Sequence, residues 1–204
     1  MPESHRLYST PRIYTASEIK IVTTPHLVLG CGFPGSGKTV LGEEIHRGYM
    51  AGEHNVAALD IDRFRNPRLA HNNDAQLDEA YAHMQLHAQK LVTEGDSAII
   101  FATLRKREYR EQQRDFAKFL GVPTLSFALG ISLEERIRRV NTRDHLSISP
   151  VRSEEALLKV MEGMEPFTDV DFELNGEDDV NKLKVQIFAA QHRFGLIQEL
   201  KLAV

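Results

Sequence analysis

The chain is 204 residues long with 42% hydrophobic and 26% charged side chains, enough for one compact domain with a sizeable core. A net charge of −4 and a pI near 6.1 exclude a global attraction for nucleic acid or an anionic membrane, so polyanion binding would need a local basic patch. The single cysteine, Cys31, excludes an internal disulfide, and no membrane-length apolar run or signal-peptide core is present, so the expectation is a soluble protein of the cytoplasm.

Residues 1–25 read as an N-terminal arm, in which IYTASEIKIV (13–22) holds either a short edge strand or a loose segment. HLVLGC (26–31) is a buried strand, closed by glycine. TVLGEEIHRGYM (39–50) is helical, with Val40, Leu41, Ile45 and Tyr49 on one face and Gly52 at its end. NVAALDI (55–61) is a second strand. From Asn73 to Glu94, Leu77, Ala80, Tyr81, Met84, Ala88, Leu91 and Val92 recur at helical period, with Asn73 or Asp74 as N-cap. SAIIFATL (97–104) is a third strand, 106–120 a helix ended by Gly121, and PTLSFALG (123–130) a fourth strand. Ser132 caps a helix over 133–143, a loop with a proline follows, and SEEALLKVMEGM (153–164) is helical again. VDFELN (170–175) is a fifth strand, 178–192 a last helix and 196–204 a C-terminal tail. Strands alternating with helices predict an α/β fold in three layers, a mostly parallel five-stranded sheet covered on both faces, and one domain over 26–195.

Between the first strand and the first helix, Gly32-Phe33-Pro34-Gly35-Ser36-Gly37-Lys38-Thr39 fits the pattern G-x-x-x-x-G-K-[ST]. Glycines let successive backbone N–H groups converge on a phosphate, and the helix that follows aims its unpaired N–H groups and positive dipole end at the same anion. Lys38 adds a mobile charge for the outer phosphates, and the Thr39 hydroxyl suits Mg²⁺. The expected ligands are therefore ATP and magnesium. A second constellation, ALDIDRFRNPRLAHNN (58–73), sets Asp60, Asp62, Arg63 and Arg65 at the end of a strand, on the rim where parallel sheets bind ligands. A carboxylate there suits proton transfer from a hydroxyl, and an arginine suits an anionic substrate group; a polar turn with a surface ion pair has the same residues.

GFPGSGKT followed by LDIDRFR resembles the P-loop kinases grouped around phage polynucleotide 5′-kinase, whose loop precedes a strand ending D-x-x-R, here Asp62 to Arg65. Zeta-type toxins, which phosphorylate a nucleotide sugar, share the layout. The resemblance spans roughly residues 26–175 and is strongest at these two motifs. It implies a P-loop NTPase fold, a phosphotransferase, Asp62 as the base that activates the acceptor hydroxyl and Arg65 as a contact to the substrate's phosphate. The third strand departs from the pattern. Relatives carry an acid near its end, as in D-A-T-N, whereas this chain has Phe101-Ala102-Thr103-Leu104, of which only Thr103 remains for substrate. Magnesium would then rely on Thr39, the phosphates, water and Asp60 or Asp62.

The resemblance also implies a lid over about 136–152. Arg136, Arg139 and Arg143 share one face of the fourth helix, and Glu135 can pair with Arg139. Lid arginines deliver charge to a migrating phosphoryl group, which assigns Arg143 to the transition state and Arg139 to the nucleotide. A further cluster, Arg105, Lys106, Arg107, Arg110 and Arg114, reads first as a solvated face laced by Glu108 and Glu111, and second as a site for an anionic acceptor. The acceptor itself stays open between a nucleic-acid 5′-end, a nucleotide and a small molecule. The rival readings are a toxin-like kinase of a nucleotide sugar and a nucleotide-binding regulator with little turnover.

Overall fold

The computed structural model describes residues 19–65, 74–143, 149 and 151–202. The segment RLAHNN (68–73), the arm before residue 19 and positions 144–148 and 150 of the expected lid lie outside the described residues.

Strand β1 (Ile19–Thr23) is followed by β2 (Leu27–Gly32), helix α1 (Lys38–Met50), β3 (Val56–Asp60), a 3-10 turn (Ile61–Arg63) and α2 (Asp74–Thr93). Then come β4 (Ser97–Phe101), α3 (Arg107–Leu120), β5 (Thr124–Gly130), α4 (Leu133–Asn141), α5 (Glu154–Glu162), β6 (Phe172–Asn175), α6 (Val180–Arg193) and β7 (Ile197–Leu202). Five strands form one parallel sheet in the order β3-β4-β2-β5-β6. This is the three-layer P-loop NTPase-like architecture expected from the alternation of elements. Because every strand runs the same way, all five C-terminal ends open onto one rim, and α1 starts on that rim. The arm and the tail meet outside this sheet: β1 pairs with β7 antiparallel, Ile19 opposite Leu202 and Ile21 opposite Leu200.

Both faces of the sheet are covered, which is why strands such as LVLGCG are apolar without alternation. Val28, Phe101, Phe127 and Leu129 pack with Leu41, Ile45 and Ile187 on the side of α1 and α6. Leu27, Leu29, Cys31 and Ile100 pack with Ala80, Met84 and Ala117 on the side of α2 and α3. Cys31 is buried there, and burial pushes its thiol up to about 12, so it stays neutral. Val140, Val151 and Leu157 make a small separate core between α4 and α5.

One helix face differs from expectation. The buried residues of α1 are Leu41, Gly42, Ile45 and Gly48, whereas Val40 is 60% exposed. Packing distance explains the shift. A Cβ at Gly42 would lie 3.2 Å from the Phe101 ring, and one at Gly48 would lie 2.5 Å from His54, so the glycines let α1 sit close on the sheet and rotate Val40 away from it. Among the described residues, no helix is long and apolar enough to cross a membrane.

Candidate active site

The loop between β2 and α1 folds back on itself, with Ser36 N donating to Phe33 O at 3.1 Å. Gly35 and Gly37 adopt φ values of 86° and 98°, a left-handed backbone that side chains oppose. Gly35 has a second constraint, since a Cβ there would sit 3.2 Å from the carbonyl of Arg136. Gly37 is the N-cap of α1 and supplies no side-chain cap, and the first turn carries no acid, so its N–H groups are left for an anion. Lys38 Nζ donates to Gly32 O at 2.8 Å and Phe33 O at 2.9 Å, which holds it beneath the loop. Burial pulls its pKa down to about 8, against the opposing pull of Asp60 and Asp62.

The end of β3 faces this loop. Asp60, 8% exposed, uses both carboxylate oxygens: Oδ2 accepts from the Thr39 hydroxyl at 2.8 Å, and Oδ1 accepts from Asp62 N at 3.0 Å, capping the 3-10 turn. That cap turns Asp62 into the cleft. Burial, then the neighbouring Asp60, raises the Asp62 pKa, and Arg65 opposes the shift with Nε 3.0 Å from Asp62 Oδ1. That N–H is not aligned for a hydrogen bond with the carboxylate. The other arginine of the motif, Arg63, points elsewhere, pairing with Glu43 at 3.0 Å on the surface.

Strand β4 is where the sequence lacks the acid that the resemblance implies. Phe101 lies opposite Asp60 in the parallel register and is fully buried. Its ring occupies the space left by Gly30, where a Cβ would be 2.8 Å away, and by Gly42. An acid at this position would face the apolar core. The carboxylate beside Thr39 comes instead from the neighbouring strand, as Asp60. Thr103, just beyond, lines the cleft.

Helix α4 rests directly on the phosphate loop. The Arg136 guanidinium lies 4.1 Å over the Phe33 ring. Arg139 pairs with Glu135 at 2.7 Å, donates to Gly176 O at 3.0 Å and reaches Gly35 O at 3.5 Å. Arg143 lies just past the helix end, donates to Val151 O at 2.7 Å and feels the charge of Asp62 across the cleft. Two members of the second cationic cluster are not on a solvated face. Arg110 is 1% exposed and, with Arg114, is bound to Asp169.

These groups surround one cleft of about 910 Å³. It runs from the phosphate loop in two directions. One end is walled by Val40, Gly176, Asp178, Val180 and Leu183; the other holds Asp62, Arg65, Leu77, Tyr81, Arg105 and Tyr109. The all-oxygen pair of Thr39 and Asp60, side by side where the phosphate loop meets the second end, is a donor set suited to magnesium.

A family model described as AAA domain matches residues 27–167. The chain belongs to this AAA domain family. No curated protein matches it. Among solved structures, the AAA domain resembles the APS kinase of Mycobacterium tuberculosis in complex with AMPPNP and APS, at 16% identity and a TM-score of 0.64, over 84% of this chain and 99% of that one. It resembles a gluconokinase from Sinorhizobium meliloti at 17% identity and a TM-score of 0.58, over 85% and 95%. Chaetomium thermophilum Kti12 in complex with ADP-AlF3 matches at 18% identity and a TM-score of 0.57, over 80% and 98%. At these identities the likeness establishes the fold.

Several cleft residues of this AAA domain carry no distinguishing mark in the sequence. Tyr81 and Leu77 follow the same helical period as core residues, and Lys159 on α5, which also lines the cleft, sits in an ordinary amphipathic helix. Asp60 and Asp62 are told apart by the fold, which brings Asp60 to the Thr39 hydroxyl.

Proposed function

We propose that this AAA domain is a P-loop kinase that moves the γ-phosphoryl group of ATP to a hydroxyl of a second substrate. The observation that carries the reading is the β3 terminus. Within three residues it offers one carboxylate to the Thr39 hydroxyl and a second, separately oriented, to the end of the cleft that holds Arg65 and Tyr81. A P-loop hydrolase can use the same two carboxylate roles, so transfer to water is the control that separates the two reactions.

In this reading the Gly32–Thr39 loop binds the triphosphate through backbone amides, and Lys38 neutralises its outer oxygens. Thr39 and Asp60 would hold magnesium, which supplies positive charge to the phosphate oxygens when bound. Asp62, its proton affinity raised by burial and by Asp60, takes the proton of the acceptor hydroxyl. Arg65 orients an anionic group of the acceptor. Arg139 steadies the nucleotide from α4, and Arg143 brings charge from the lid. Thr103 contacts the acceptor. We place the nucleobase at the Val40–Leu183 end, because the other end is taken by Asp62.

The acceptor class is tested with a panel: a 5′-hydroxyl oligonucleotide, a nucleoside, a nucleotide sugar and gluconate, with transfer to water measured alongside. Asp62→Asn is expected to lower transfer by about 10²- to 10⁴-fold while ADP affinity stays within about twofold. Normal turnover by the Asn variant sinks the base assignment. A second reading, a nucleotide-binding regulator with little turnover, is favoured by Phe101 in the acid position; tight ADP binding without transfer to any member of the panel would select it.

A further inference from the structure

The junction between β4 and α3 holds the one non-glycine residue with positive φ among the described residues: Leu104, at φ 46°, its side chain buried. A bulky residue stays in that backbone region only where its surroundings over-determine it, and such positions gather at functional sites. Here the determinant is Arg110. Its Nη1 donates to Leu104 O at 2.8 Å. Its other donors go to a distant segment: Nε to Asp169 Oδ2 at 2.9 Å and Nη2 to Pro166 O at 3.1 Å. The guanidinium also lies 5.2 Å from the centre of the Phe167 ring. Arg114 donates to the same Asp169 oxygen at 3.0 Å and to the Asp169 backbone carbonyl. The two segments meet once more where Glu165 N donates to Arg105 O at 2.8 Å.

Buried ion pairs are a poor source of stability, because desolvation offsets their attraction and apolar side chains would fill the space as well. What a fully engaged guanidinium supplies is a fixed position. The position fixed here is the backbone between Thr103 and Arg105, and both of those residues line the acceptor end of the cleft. Arg110 itself does not line the cleft, and nothing on the nucleotide end is bonded to it.

We propose that Arg110 is a positioning residue for the acceptor: through the Leu104 carbonyl it maintains the left-handed turn that presents Thr103 and Arg105 to the acceptor end. The inference rests on the kinase reading for what occupies that end. The turn itself can be read without any acceptor.

Arg110→Met alone takes one of two arginine partners from Asp169 and leaves Arg114 as the other, so it is made together with Asp169→Asn, which lowers the charge to be held and keeps an oxygen for Arg114. Arg110→Lys is the conservative companion. Each is compared with the wild type by melting temperature, ADP affinity, transfer to the panel member phosphorylated fastest, and amide hydrogen exchange with ADP and magnesium present. The double variant is expected to melt close to the wild type and bind ADP within about twofold, with acceptor KM raised about tenfold or more, kcat changed less and exchange accelerated at residues 103–106. Arg110→Lys is expected to fall between the two. Unchanged acceptor KM, or ADP affinity falling in parallel with it, overturns the proposal. If the wild type phosphorylates no panel member, exchange decides: local acceleration confined to 103–106 supports the proposal, and unchanged protection there overturns it. Absence of ADP binding by the wild type would defeat the kinase reading and leave the exchange result standing.

Discussion

The two ends of the cleft are built on different principles. The phosphate end is one continuous stretch, Gly32–Thr39, whose binding groups are mostly backbone amides positioned by glycine and by the first turn of α1. The end proposed for the acceptor is assembled from side chains of four separate segments: the β3 terminus, α2, the β4–α3 junction and the first turn of α3. Backbone amides facing an anion need only a turn of the right shape. Side chains that select a hydroxyl need a fold to bring them together. The first kind of site depends on backbone shape, and the second depends on which side chains the fold places there.

The largest effect expected is at the phosphate end. Lys38→Ala removes the one buried cation beneath the loop and is expected to reduce transfer on the order of 10³-fold or more, measured as ATP consumption with the best acceptor. A smaller loss would mean that amides and lid arginines carry the charge between them. Next comes Phe101→Asp, which places an acid where the resemblance implies one. Its neighbours are Gly30, Gly42 and Phe127, with the Phe127 ring centre 6.0 Å away. The substitution is expected to destabilise the fold by about 3–5 kcal/mol by denaturant titration, through an empty ring volume and a buried charge, with no gain in turnover. Gain of activity would show that Asp60 is an incomplete replacement.

This contrast also decides what was legible beforehand. The phosphate loop is local, so its residue types alone imply its chemistry, and the alternation of strands and helices suffices for the sheet. Phe101 is different. Read along the chain it is a missing acid; only its packing against Gly30 and Gly42, which lie far away in sequence, makes it a core residue. Arg110 failed for the same reason. Its spacing from Glu111 and Glu108 fits an exposed charged helix, and nothing local announces that Asp169 lies above it. Val40 shared the apolar period of α1, yet the glycines at 42 and 48 turn that face by leaving no side chain to pack. Arm and tail pair as β1 and β7, a contact between the two ends of the described chain that no periodicity within either could indicate.

The pH responses of the two ends should also differ. A charged Lys38 is the form a phosphate stabilises, so bound nucleotide raises its pKa above the value of about 8 that burial imposes. Affinity for ADP is therefore full below that pH and falls as pH rises through it, by at most about tenfold per pH unit. Calorimetry across this range, in buffers of different ionisation enthalpy, also detects the accompanying proton uptake. Flat affinity would mean that amides alone hold the phosphates. Asp62 acts on the acid side: its raised pKa makes transfer fall as pH drops through that value, with ADP affinity unaffected by it.

The smallest effect marks where the acceptor end stops. Arg107 belongs to the same cationic run as Arg105 and Arg110, but its side chain is exposed and pairs with Glu111 at 2.8 Å, one turn along α3. Its structural role is carried by its backbone, whose N–H donates to Glu165 Oε2 at 2.7 Å and survives truncation. Arg107→Ala is accordingly expected to change stability by no more than about 0.5 kcal/mol and to leave acceptor KM unchanged. A weakened, salt-dependent affinity for the 5′-hydroxyl oligonucleotide in this variant would give the opposite result. It would extend the acceptor surface over the outer face of α3, and a polymer end would then be favoured over a compact substrate.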